Sequence, residues 1–153
     1  MRVVPILLTA ATLFAVTPVP ASGQSARSAP IVEGGINACL IGHHMWNVGA
    51  RFHVWPRLAL GPEIIKDRYD NWTVLGEAMF DLRRSGRVMP YARVGAGVTT
   101  YQSFGPVTTG AFTGGVGVLI PLGDYLFVAP ESRLLVSDTA HPVIGVVVGV
   151  RLH

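Results

Sequence analysis

The sequence predicts an all-β fold, an eight-stranded antiparallel up-and-down barrel that crosses a membrane and is preceded by a signal peptide. Three observations carry that expectation. Charged residues are only 14% of the chain while hydrophobic residues reach 50%, with a mean hydropathy of +0.44; an ordinary soluble protein carries about 25% charged residues. No run of about 18 consecutive apolar residues occurs after the first twenty positions, so no transmembrane helix can be drawn. Apolar residues instead recur at every second position, as strands with one face toward lipid require. Eighteen glycines and eleven prolines also weigh against helices, because both are poor in helix interiors.

At 153 residues the chain is expected to form one domain. Residues 1–23 read as a signal peptide: Arg2 supplies the positive end, Val3 to Val16 the apolar stretch, and Ala21-Ser22-Gly23 a small-residue cleavage site. The alternative, an uncleaved anchor helix, conflicts with the short apolar stretch and with Pro18 and Pro20, which end it. Residues 24–30 are expected to be a short linker and 31–153 the barrel.

The strands follow in order. Val32, Ile36, Ala38 and Leu40 share one face against Glu33, Gly35 and Asn37. From Trp46 to Trp55, the residues Trp46, Val48, Ala50, Phe52 and Val54 oppose Asn47, Gly49, Arg51 and His53. Leu58, Leu60, Pro62 and Ile64 oppose Gly61, Glu63 and Ile65. Trp72, Val74, Gly76, Ala78, Phe80 and Leu82 oppose Thr73, Glu77, Met79 and Asp81. Val88, Pro90, Ala92, Val94, Ala96 and Val98 oppose Tyr91, Arg93, Gly95, Gly97 and Thr99. Phe112, Val116, Val118 and Ile120 oppose Thr113, Gly115 and Gly117. The segment from Tyr125 to Val136 leaves its phase open: Glu131 and Arg133 share a face, and Tyr125 and Phe127 join them unless a bulge near Pro130 resets the alternation. The last segment alternates most regularly, with Ile144, Val146, Val148, Val150 and Leu152 opposing Gly145, Val147, Gly149, Arg151 and His153.

Most segments run ten to fifteen residues, enough to cross a bilayer at a tilt, which takes about 9–11. Tight turns are expected at Trp55-Pro56-Arg57, Arg84-Ser85-Gly86 and Leu122-Gly123-Asp124. Slightly longer loops are expected around 42–45, 67–70, 102–108 and 137–141. That asymmetry, with both termini in the periplasm, would match outer-membrane barrels.

The stretches Leu58-Ala59-Leu60-Gly61-Pro62-Glu63, Pro90-Tyr91-Ala92-Arg93-Val94-Gly95-Ala96-Gly97-Val98 and Gly145-Val146-Val147-Val148-Gly149-Val150-Arg151-Leu152 carry a resemblance to the small outer-membrane β-barrel superfamily that includes OmpA- and OmpX-type barrels. It spans roughly Ala29 to His153 and lies in the alternation, not in a catalytic motif. The resemblance implies a monomer in the bacterial outer membrane, partnered by outer-membrane lipids and by the assembly machinery. Such barrels usually end on an outward aromatic residue that forms part of the signal to that machinery; here Leu152 is the last outward position and His153 follows it.

On this reading Val94, Val116, Val118, Ile144, Val146, Val148, Val150 and Leu152 face lipid. The inward faces collect Glu33, Arg51, His53, Glu63, Glu77, Asp81, Arg93, Glu131, Arg133 and Arg151. Eight strands leave a bore that side chains fill, so confined charges must pair, and arginine's planar fork suits that better than lysine. The expected result is a salt-bridge network that plugs the lumen; the alternative is a hydrated ion path. Trp46 and Trp72 at one end, with Trp55, Phe80 and Tyr91 at the other, would form two interfacial aromatic girdles.

Other chemistry finds little support. Cys39 is the single cysteine, which excludes an internal disulfide, a zinc framework and a redox dithiol. The net charge of +3 is scattered apart from Arg83, Arg84 and Arg87, so no nucleic-acid partner is expected. His43-His44, placed on a loop, lacks a third metal ligand. Ser137, Asp138 and His141 offer a nucleophile, an acid and a base on one short loop, which seldom supplies triad geometry. Lipid A-modifying barrels resemble this chain in size, but no His-x-Ser strand motif is present. Asn71-Trp72-Thr73 matches a glycosylation acceptor that only a eukaryotic secretory route would use. A non-enzymatic barrel without cofactors, with a structural or interaction role, is the leading expectation. A soluble barrel carrying an apolar ligand is the alternative, and it would reverse the two faces.

Overall fold

The computed structural model describes residues 30–39, 43–83, 88–102 and 106–152. The expected signal peptide and nearly all of the linker lie outside these. The described residues form eight strands: β1 Ile31–Cys39, β2 His43–Trp55, β3 Leu58–Asp67, β4 Trp72–Asp81, β5 Met89–Tyr101, β6 Val107–Pro121, β7 Leu126–Val136 and β8 Ala140–Arg151. Each pairs antiparallel with the next, and β1 pairs antiparallel with β8, so the sheet closes on itself. Closure removes the open sheet edges that a lipid environment cannot satisfy.

The two-residue alternation determines which side of the wall each residue occupies. Along β8, Val143 and Val147 are buried whereas Ile144, Val146 and Val148 are about half exposed, with Val148 at 52%. The same holds around the ring for Val48, Phe52, Val94, Phe112 and Val116, all outward. Val118 is outward but half-buried. Apolar residues therefore form the outer surface. A charge placed there at the bilayer midplane costs about 2–4 kcal/mol. Val148→Arg is accordingly expected to fold poorly into lipid vesicles, as followed by tryptophan fluorescence, while Val148→Leu inserts like the parent.

The phase of β7 is continuous. Its pairing with β8 runs without a slip from Leu126↔Val150 to Val136↔Ala140, so no bulge forms at Pro130 and Phe127 points inward at 1% exposure. Room for the ring comes from the facing strand. Phe127 lies opposite Gly149, where a Cβ would overlap the ring. Tyr91 uses Gly117 in the same way. Tyr91 therefore belongs to the interior, not to a lipid-facing girdle, whereas Trp46, Trp72, Trp55 and Phe80 are exposed as expected. Tyr125 lies outside β7 and is exposed.

The expected contrast between tight turns and longer loops is absent from the strand bounds. At the end away from the termini, the ladders run as far as Cys39↔His43, Tyr101↔Val107 and Val136↔Ala140, so continued pairing shortens the connections there. His43 and His44 consequently belong to β2, and His141 to β8. At the opposite end, β4 and β5 are separated by residues 82–88, of which 84–87 lie outside the described residues. Two tight turns do occur at that end, at 56–57 and around Gly123. Gly123 has φ 107°, a conformation that a Cβ disfavours.

A sealed ionic core as the candidate functional site

The inward residues sort into layers along the barrel axis. At the end bearing the termini, Ile31, Met79, Tyr91, Leu119, Phe127 and Val147, with two alanines, form one buried apolar cluster. Toward the other end Met45, Ile65, Leu75, Ala111, Leu135 and Val143 form a second. Between them lie Glu33, Arg51, Glu63, Glu77, Arg93, Glu131 and Arg133, none more than 4% exposed.

Glycines on neighbouring strands make space for these long side chains. Gly49 stands between Glu33 and Glu63, Gly95 opposite Glu77, and Gly115 between Arg93 and Arg133. A residue without a side chain lets its neighbours lie across the lumen.

Arg93 is the hub. Its Nη1 donates to Glu131 Oε2 at 2.6 Å, and its Nη2 meets Glu63 Oε1 at 3.1 Å and Glu77 Oε2 more closely. Arg133 reaches across the barrel to Glu63, donating from Nη1 at 2.7 and 3.0 Å, and its Nε lies 3.7 Å from Glu131. Arg51 pairs with Glu33 and donates to Glu77 at 2.9 Å. Two neutral groups join them: Asn47 Nδ2 donates to Glu63 at 2.5 Å and the Tyr91 hydroxyl to Glu131 at 2.9 Å. Their inward positions were legible in the alternation, but their roles were not. The nearest signal for Tyr91 is its place two residues before Arg93 on the same face.

Asp81 stands apart from this cluster. It lies near the barrel end, partly exposed, with His53 Nε2 at 3.7 Å. Arg151 is at the same end, inward beside Ile31 and half-buried. The alternation assigns both to the inner face, but strand length sets their depth, and each closes its strand.

The histidine and serine candidates are not assembled into a relay. His141 Nε2 is 2.7 Å from Thr139 Oγ1, and Ser137 Oγ is 2.6 Å from the Tyr101 hydroxyl. Among the described residues no group of three His, Cys, Asp or Glu side chains could hold a metal ion.

No protein-family model matches the chain, and no curated protein is similar to it in sequence. Solved structures are similar in fold. The N-terminal β-barrel domain of Pseudomonas aeruginosa OprF superposes with a TM-score of 0.72 at 12% identity, covering 82% of this chain and 98% of that one. Neisserial surface protein A gives 0.56 at 12% identity over 80% and 94%. Ail, the attachment invasion locus protein of Yersinia pestis, gives 0.53 at 10% over 82% and 99%. The chain has the fold of the small eight-stranded outer-membrane β-barrels.

Proposed function

We propose that this chain is a non-enzymatic barrel of the bacterial outer membrane, with a structural or interaction role in the envelope. Its surroundings are outer-membrane lipids, the assembly machinery delivers it, and it works as a monomer. The observation that carries the reading is the pairing of an apolar outer wall with an ionic core sealed by two apolar layers. A wall of exposed valine, phenylalanine and leucine is soluble only in lipid or detergent. A carrier of apolar ligands would need the opposite arrangement, with an apolar lumen and a charged exterior. Fractionation is the test: the protein should resist extraction from the outer membrane by high salt and dissolve in detergent. Recovery in the soluble periplasm would overturn the reading.

The sealed lumen has a second consequence. Seven charged side chains in mutual contact, closed off at both ends, offer no continuous water path for ions. In planar bilayers the purified barrel should show no steady single-channel conductance. A large and stable conductance would mean that the same residues line a pore.

A further inference from the structure

Beyond the ionic core, the lumen opens at the end away from the termini into a cavity of about 220 Å³. Its floor is the second apolar layer, through Met45, Ile65 and Leu135, beside the hydrogen-bonded pair Thr73 and Thr99 at 2.8 Å. Tyr69, Asn71, Tyr101, Ser137, Asp138 and His141 contribute to its walls.

These walls are built in advance. Asp67 organises the β3–β4 connection, accepting from Tyr69 N at 2.7 Å, Asn71 N at 3.0 Å and Asn71 Nδ2 at 2.8 Å. Asn71 Oδ1 in turn accepts from Gln102 N at 3.2 Å. On the other side, Tyr101 is tied to Ser137 and His141 to Thr139. One polar atom stands out: His141 Nδ1 is buried and has no hydrogen-bond partner among the described residues. A buried polar atom left unpaired is costly, and a ligand hydroxyl can supply its partner once the imidazole turns toward the cavity.

We propose that this cavity binds one unit of a neutral sugar. Tyr101, and the face of Tyr69 not covered by the Arg68 guanidinium at 4.6 Å, offer aromatic surface to the C–H face of a sugar ring. Hydroxyls, an amide, an imidazole and carboxylates offer both donors and acceptors to its hydroxyl groups. Among the described residues no lysine or arginine lines the cavity, and two aspartates do, so phosphate, sulfate and other anions are disfavoured. The volume limits the occupant to about a single ring, and such small contacts give weak binding. The proposal stands apart from the membrane reading, since a soluble barrel would carry the same cavity.

Saturation-transfer NMR on the full folded chain, in a detergent without a sugar headgroup, tests it. The probes are glucose, galactose, mannose and N-acetylglucosamine, with choline and putrescine as cationic comparisons. At least one sugar should give a saturable signal, weakened tenfold or more by His141→Phe and unchanged by Val148→Leu on the outer wall. If His141→Phe does not fold, Thr139→Val removes the imidazole's partner from the same wall and should weaken binding at least threefold. The proposal is overturned if no sugar saturates, if only the amines bind, or if the folded cavity variant binds as tightly as the parent.

Discussion

Replacing Arg93 with alanine is expected to lower the stability of the barrel by about 3–5 kcal/mol, the usual cost of leaving a buried charge without its partner. Arg93 is 1% exposed and contacts Glu63, Glu77 and Glu131 on three different strands. Its loss leaves Arg51 and Arg133 to balance four carboxylates. Urea titration of the barrel folded in lipid vesicles measures the change. Arg93→Lys should recover only part of it, because an ammonium is a point charge without the guanidinium fork that reaches two sides at once. Adding Glu131→Gln to Arg93→Ala should recover part of the loss, because without Arg93 the Glu131 carboxylate keeps only the Tyr91 hydroxyl at 2.9 Å and Arg133 Nε at 3.7 Å. A loss well below about 1 kcal/mol for Arg93→Ala would place the network in contact with water, where ion pairs count for little.

The second large effect is expected at two glycines that the charges do not explain. A Cβ on Gly61 would overlap the carbonyl oxygen of Ala50, and one on Gly97 would overlap that of Val74. Both obstacles are backbone atoms of the neighbouring strand, so relief requires the strands to part. Gly61→Ala and Gly97→Ala should each cost about 3 kcal/mol or more, at the upper end of overpacking penalties. Gly110→Ala and Gly114→Ala provide the comparison, because nothing lies within 4 Å of an added Cβ at either position. Those two should stay within about 0.5 kcal/mol of the parent. Glycines at such close approaches let a small barrel bend its wall. Equal effects at all four positions would remove this explanation.

The side of the wall each residue faces was legible in the sequence, because a strand repeats every two residues and Ile144, Val146, Val148 and Val150 keep strict step. Strand number and the inward set of carboxylates and arginines followed from the same pattern. Depth was less legible. Asp81 and Glu77 occupy the same face four residues apart, yet only Glu77 lies in the core. The inward Ile31, Met79 and Leu119 interrupt the polar pattern one strand at a time, and they become a layer only when the ring brings them together. Partner choice was hidden for a related reason. Arg133 and Glu63 are 70 residues apart, and they meet through the curvature of the closed sheet, which no local pattern encodes. The phase of β7 depended on Gly149, a residue on the next strand, whose missing side chain admits Phe127.

The ionic layer also bears on how the barrel assembles. Glu131 and Arg133 on β7 find their partners on β3 and β5, across the bore. A partly assembled, still open sheet would keep pairs between neighbouring strands, such as Arg51–Glu33 and Arg93–Glu77, but would lack these cross-bore contacts and leave the whole layer exposed to whatever solvent fills the gap. Burial of the charged layer is completed last, when β1 and β8 meet and join opposite ends of the sequence. Such high contact order makes the transition slow, and the sealed charges make it all-or-none. An incomplete barrel is left wet and unstable, a state that assembly factors or proteases can distinguish from the finished one.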